Sequence, residues 1–254
     1  MNLVWYRNDL RVHAHRALQQ ALELGEPVLA LYCLCEQQWD RHQVAPLRRW
    51  YVLQSLLELG DELAARGVDL HVLDAGDFAA VPGVLANFVT AHGIQRIFCS
   101  REYPLNELNR DREVARTLAP QGVEITGFDD SVLVPPRTLS TGKGTPYTVF
   151  SAYKKRWDLW LESHFQPVPA LPGVASRRGA FVGKTVVEKA LKKLNVADSL
   201  TCHWQPGEAA ALQQLDHFAE QHLAGYRKRR DFPAESATSG LSAALSAGTL
   251  SPAS

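Results

Sequence analysis

The chain has 254 residues and carries 27 basic and 27 acidic side chains, so its formal net charge is zero at neutral pH. This balance excludes a general electrostatic attraction for polyanions, and any nucleic-acid contact must come from a local basic patch. Hydrophobic residues at 46% and charged residues at 21% exclude a disordered or fibrous chain and leave room for one large domain, or one domain and part of a second.

The amino terminus, Met1-Asn-Leu-Val-Trp-Tyr-Arg7, reaches charge too soon to form a signal-peptide core. No apolar stretch approaches the roughly twenty residues that span a bilayer. A cytoplasmic protein is expected. Cys33, Cys35, Cys99 and Cys202 lack paired zinc-site spacing, and the histidines lack His-x-x-x-His spacing. Reduced thiols and no metal are expected.

Short β-rich apolar runs alternate with helical patterns over the first 130 residues. Strands are expected at 3–6, 28–33, 70–73, 96–99 and 123–126, with the clearest helix at 46–66, opened by Pro46 and closed by Gly67. The pattern predicts an α/β fold: a five-stranded, parallel, doubly wound, Rossmann-like sheet in a domain of residues 1–130. Ligands of such sheets bind beyond the carboxyl ends of the strands, where strand order reverses. The first strand runs into Arg7-Asn-Asp-Leu-Arg11 and not into Gly-x-Gly-x-x-Gly, so no dinucleotide is expected on the sheet itself.

Residues 131–206 read as a connector. It contains an aromatic-rich helix at 150–163, whose Tyr153, Trp157 and Trp160 are expected to pack against the sheet domain. Residues 167–183 are expected to wrap over the surface, and the lysine-rich run 184–193 to be a solvated face. A helix at 208–224 follows, then a second beyond Ser239 carrying Leu241, Leu245 and Leu250. That last stripe is expected to stay uncovered, inviting a partner or self-association. Residues 207–254 thus read as the first helices of an incomplete all-α domain.

Thr238, Ser239 and Ser242 bring hydroxyls and main-chain N–H groups to the start of this last helix. Such an arrangement suits a phosphate; it also suits an ordinary helix cap.

Five motifs point further: Trp5-Tyr-Arg-Asn-Asp-Leu-Arg11, Gly127-Phe-Asp-Asp130, Tyr147-Thr-Val-Phe150, Arg230-Asp-Phe-Pro233 and Thr238-Ser-Gly-Leu-Ser242. In this order and spacing they resemble the DNA photolyase and cryptochrome family, above all the bacterial cyclobutane pyrimidine dimer photolyases. The resemblance implies an α/β antenna domain joined to a helical FAD domain, which passes a light-driven electron from reduced FAD to a pyrimidine dimer flipped out of DNA. It implies FAD contacts at Tyr226, Thr238, Ser239, Gly240, Leu241 and Ser242, and a DNA contact at Arg230, with Arg227, Lys228 and Arg229 suited to phosphates. It also implies a folate antenna, methenyltetrahydrofolate, held by His42, Asn106 and Glu107; the alternative for the last two is a helix cap and a first-turn acid.

Three departures bear on activity. Gly240 stands where the family usually has arginine. Ala14-His15 replaces the usual Asp-Asn, which is expected to weaken a turn or cap. The family's chain continues for roughly another two hundred residues, a second domain's worth. The chain alone is therefore expected to lack repair activity and to hold one end of FAD at most. The alternatives are a cryptochrome-like light sensor and a stand-alone pterin- or nucleotide-binding module.

Overall fold

The computed structural model describes residues 1–168, 171 and 177–254. The expectation of a surface connector over 167–183 therefore lies partly outside the described residues.

Six parallel strands form one sheet in the order β5-β4-β1-β2-β3-β6. They are β1 (Asn2–Tyr6), β2 (Val28–Leu34), β3 (Asp69–Asp74), β4 (Arg96–Ser100), β5 (Glu124–Phe128) and β6 (Phe181–Val182). Alternation along β1 sends Val4 and Tyr6 to one face and Leu3 and Trp5 to the other. Helices α1 (Arg16–Glu23) and α3 (Pro46–Ala65) cover the first face, and α4 (Val81–His92) and α5 (Leu105–Leu118) the second. Between β1 and β2 on one side and β4 on the other the strand order reverses, which fixes the ligand-binding edge of the fold. The short α2 (Glu36–Arg41) follows β2 at this edge.

The five expected strands all form, and β6 is a sixth that the sequence reading placed within a surface connector. Its ladder is two residues long, Leu70 opposite Phe181 and His71 opposite Val182. The Phe181 ring lies against Gly60 of α3, where an added Cβ would fall 2.2 Å from the ring. The following helix, α7 (Lys184–Lys193), is more than a solvated face: Val187 and Ala190 are buried in the core shared with α3.

The aromatic helix α6 (Phe150–His164) meets expectation only in part. None of its residues is buried, Phe150 is 75% exposed and Tyr153 is exposed, but Trp157 and Trp160 are half-buried and Trp160 lines a cleft shared with Phe128 and Asp130 of the sheet domain. Helical spacing reports that a face is apolar; it does not supply the neighbour that covers it.

At the carboxyl end the expected helix appears as α9 (Glu208–Gln221), followed by α10 (Tyr226–Arg229) and α11 (Ser242–Ala247); α8 (Asp198–Thr201) precedes them. The stripe expected to be bare is largely covered. Leu241, Ala244 and Leu250 pack with Ala211 of α9, and Ala247 joins the main core, leaving Leu245 exposed at 48%. This removes the basis for self-association through that stripe.

Two backbone positions beside β1 set up a test. Gly248 has φ +69, and a Cβ there would lie 2.0 Å from the Asn8 carbonyl oxygen; Ala14 has φ +47 despite its side chain. Gly248→Ala should lower stability by about 1–3 kcal/mol, whereas Ala14→Asn should raise it by up to about 1 kcal/mol. Urea denaturation measures both, and equal effects would disprove the assignment of strain.

Candidate cofactor and nucleic-acid site

The loop from β1 to α1 is the centre of the ligand-binding edge. Asp9 is buried; its carboxylate accepts from the Arg7 N–H at 2.7 Å and lies 2.9 Å from His15 Nε2. His15 caps α1, its Nδ1 accepting from the Leu18 N–H at 3.0 Å. The expected loss of a cap through the Ala14-His15 departure therefore does not occur, because imidazole nitrogen takes the capping role. Burial opposes charge on Asp9, but the His15 ring, the Arg7 guanidinium and the Arg7 N–H hold its carboxyl well below the usual carboxylate range. Asp130 moves the other way, raised mainly by burial, although it accepts from the Arg16 N–H at 2.7 Å.

At the point where strand order reverses, two buried arginines fill the crevice. Arg7 donates to the Ser100 carbonyl and lies 3.4 Å from Asp111, while Arg110 lies 2.7 Å from Glu102. The Arg110 guanidinium is sandwiched between Trp5 at 4.9 Å and Phe78 at 4.7 Å.

Next to this plug lies an open cleft of about 320 Å³, to which Trp39, His42, Phe78, Asn106 and Glu107 contribute. All three antenna candidates thus meet at one place. His42 Nε2 is 2.9 Å from Gln38 Nε2 and 3.4 Å from Asn106 Nδ2. The position before α5 is Pro104, with no side-chain cap, so Asn106 is not the cap, and its amide lines the cleft beside His42. Glu107 occupies the first turn, where a carboxylate is favoured. Aromatic walls with an amide, an imidazole and a carboxylate can stack a flat heterocycle and bond its amino and ring N–H groups. The residues present fit a pterin. The aromatic walls Trp39 and Phe78 were not identified from sequence; Trp39 lies one helical turn before His42, which is a usable signal, but nothing local marks Phe78.

The flavin candidates are spread along the helical segment. Tyr226 opens α10, with its ring edge-on to Phe218 at 5.7 Å, and the Arg230 guanidinium is 5.6 Å from the Tyr226 ring centre. Leu241 is the residue before α11, and no side chain caps that helix. The hydroxyls of Thr238, Ser239 and Ser242 thus do not act as the ordinary cap that the sequence also allowed. Leu241 is buried, Gly240 is exposed, and the Ser239 carbonyl accepts from Gln214 Nε2 at 2.7 Å. Ser242 opens on an apolar cleft of about 280 Å³ lined by Tyr51, Val52, Trp204 and Ala247. Pockets that enclose whole ligands run from about 300 to 1,000 Å³. Of the flavin candidates only Ser242 lines this cleft, and its walls are mainly apolar, so the structure does not bring Tyr226, Thr238, Ser239 and Ser242 together around one cavity.

Burial pushes the thiols of Cys33 and Cys35 up to about 12, and the four cysteines are free. Among the described residues no helix is long and apolar enough to cross a membrane.

Fold and clefts together define a doubly wound α/β protein with a polar ligand cleft at its sheet edge, continued by a helical segment bearing hydroxyls and arginines. The DNA photolyase family model matches residues 2–173. That is more than half of the chain, which belongs to the DNA photolyase family. Over 254 residues it is 34% identical to the deoxyribodipyrimidine photo-lyase of Escherichia coli (strain K12), covering 99% of this chain and 52% of that protein. A bacterial class III photolyase from Agrobacterium tumefaciens superposes with a TM-score of 0.78 at 28% identity, covering 99% of this chain and 51% of that one. A cryptochrome from Synechocystis sp. PCC6803 superposes with a TM-score of 0.76 at 25% identity, covering 100% and 53%. The chain spans about half the length of the curated relatives it matches.

The Asp9 pairing predicts a pH signature. A carboxyl whose folded pKa lies below its unfolded value of about 3.9 stabilises fully above that value and loses the contribution as pH falls through the folded one. Asp9→Asn should cost about 1–3 kcal/mol at pH 7, and its deficit against the natural chain should shrink below about pH 4. Asp130, with its raised pKa, has the opposite sign, so Asp130→Asn should not reproduce this trend. Urea titrations at pH 7, 5 and 3 decide it; a deficit that stays constant to pH 3 contradicts the assignment.

Proposed function

We propose that the chain carries the antenna-binding part and the opening of the flavin-binding part of a light-driven pyrimidine-dimer photolyase. In this reading residues 1–130 form the antenna domain, 131–206 the connector and 207–254 the start of the FAD domain. The observation that carries it is the meeting of His42, Asn106 and Glu107, the first two 64 residues apart in sequence, in one aromatic-walled cleft.

Each residue has a chemical task. Glu107 and Asn106 bond the amino and N–H groups of a pterin ring, and His42 adds a third polar contact. The hydroxyls and main-chain N–H groups at 238–242, with Tyr226, receive the phosphate end of FAD. Arg230 and its neighbours Arg227, Lys228 and Arg229 bind DNA phosphates in a salt-sensitive, sequence-independent way. A bound reduced flavin supplies the electron that opens the dimer. In this reading the isolated chain, which spans about half the length of its curated relatives, is a chromophore-binding protein without repair activity.

The fold likeness to the Synechocystis cryptochrome favours a second reading, a blue-light sensor with the same antenna domain. Light-dependent repair by a longer protein containing this chain separates the two.

The purified chain, reconstituted with methenyltetrahydrofolate, should show a near-ultraviolet pterin band. Glu107→Ala or Asn106→Ala should weaken binding by roughly 10–100-fold, as expected for one lost charged or bidentate contact. No light-dependent dimer repair should accompany it. Failure to retain folate sinks the antenna assignment, and robust repair by the 254-residue chain sinks the claim that its flavin site is partial.

A further inference from the structure

In doubly wound proteins the turn after the first strand commonly meets an anionic ligand. In this chain that turn is already occupied. The N–H groups of Val12 and His13 donate to the two carboxylate oxygens of Glu208, each at 2.8 Å. His13 Nδ1 lies 3.1 Å from Glu208 Oε1, and the Glu208 side chain is only 10% exposed. The next residue, Ala14, has φ +47. Consecutive N–H groups aimed at one point, beside a left-handed residue, form the backbone concavity that binds anions.

A free anion is a poor competitor for this seat. The adjoining cleft, about 440 Å³, is lined by Glu58, Asp61 and Glu62. Three carboxyl groups repel a diffusing anion, whereas Glu208 is delivered as the first residue of α9 by the fold itself.

The same loop grips the other end of the helical segment. The Leu10 N–H donates to the Ala247 carbonyl at 3.3 Å, and Arg11 Nη1 to the Gly248 carbonyl at 3.1 Å. Between these grips α9 supports residues 238–242, through Gln214 on the Ser239 carbonyl and Ala211 against Leu241.

We propose that Glu208 is an internal anionic ligand of the Val12–His13 turn and acts as a positioning latch, fixing residues 238–242 against the α/β domain. The consequence for a cofactor rests on the proposed function; the latch itself is read without one.

Amide hydrogen exchange on the full chain, followed residue by residue by NMR without cofactor, tests the latch. Glu208→Gln keeps the shape but replaces one acceptor by a donor, and Glu208→Leu removes both acceptors. Exchange at Val12 and His13, and at the bonded N–H groups of Leu10, Leu245 and Thr249 that seat and close α11, should rise by at least about tenfold in the first and further in the second, while β1 to β4 stay protected. His13→Ala should leave the pattern unchanged, because the seat is the backbone. Exchange equal to that of the natural chain at these positions, a uniform rise across the sheet in Glu208→Gln, or a His13→Ala effect as large as Glu208→Gln would each overturn the proposal. Loss of folate binding alone would not, since no cofactor enters the measurement.

Discussion

A buried guanidinium with no carboxylate on it among the described residues organises this molecule. Arg11 is 2% exposed, and its charge is met by three carbonyls: Gly248 at 3.1 Å, Ala14 at 3.2 Å and Asp130 at 3.3 Å. These come from the end of the helical segment, the loop before α1 and the residue pair after β5. A charge taken out of water must be satisfied by polar groups in good geometry, or it costs several kcal/mol. The three segments are thus bound to one another by a requirement that none can meet alone. Glu208 answers the same need with the opposite sign: a buried carboxylate met by two main-chain N–H groups. A chain of zero net charge can still be governed by electrostatics when its few buried charges sit at one junction.

That junction explains what the sequence did and did not disclose. The strands were legible because each of β1, β2 and β4 is a continuous buried run, as parallel strands covered on both faces must be. β6 was not, since a two-residue strand has no periodicity; its clue is Gly60, a small residue inside a helix, leaving space for Phe181. The terminal helix looks bare in the sequence because its cover comes from α3 and α9, one of them nearly two hundred positions earlier. Periodicity shows that a stripe exists, and only tertiary placement shows what lies on it. For α6 the same ambiguity resolves to partial cover, with Trp157 and Trp160 half-buried and Tyr153 exposed.

The candidate site divides along similar lines. His42 and Asn106 have no local signature that pairs them, and family likeness alone singled them out; the structure supplies the reason they belong together, a shared cleft between α2 and α5. Ala14-His15 shows the limit of comparing residue types. His15 departs from the usual asparagine yet keeps the capping acceptor, and it adds a second nitrogen for Asp9. The left-handed backbone at Ala14, by contrast, sits where the usual aspartate would tolerate it better. One of the two departures is compensated by chemistry and the other is carried as strain.

The two candidate cofactor regions are also joined mechanically, through α3. Arg48 and Val52 line both the cleft at His42 and the cleft beneath Ser242. The wall between them is therefore a single helix, about 10 Å across. It is a stiff wall: Leu53, Leu56 and Leu63 bury its length in the core, and Ser55 receives the N–H of Gly207 at 3.1 Å just ahead of α9. Ligands at the two clefts would be held at a separation set by α3, not by a loop. The grip of residues 10–13 on both ends of the helical segment then matters for distance as well as stability, because it keeps α11 seated on that wall.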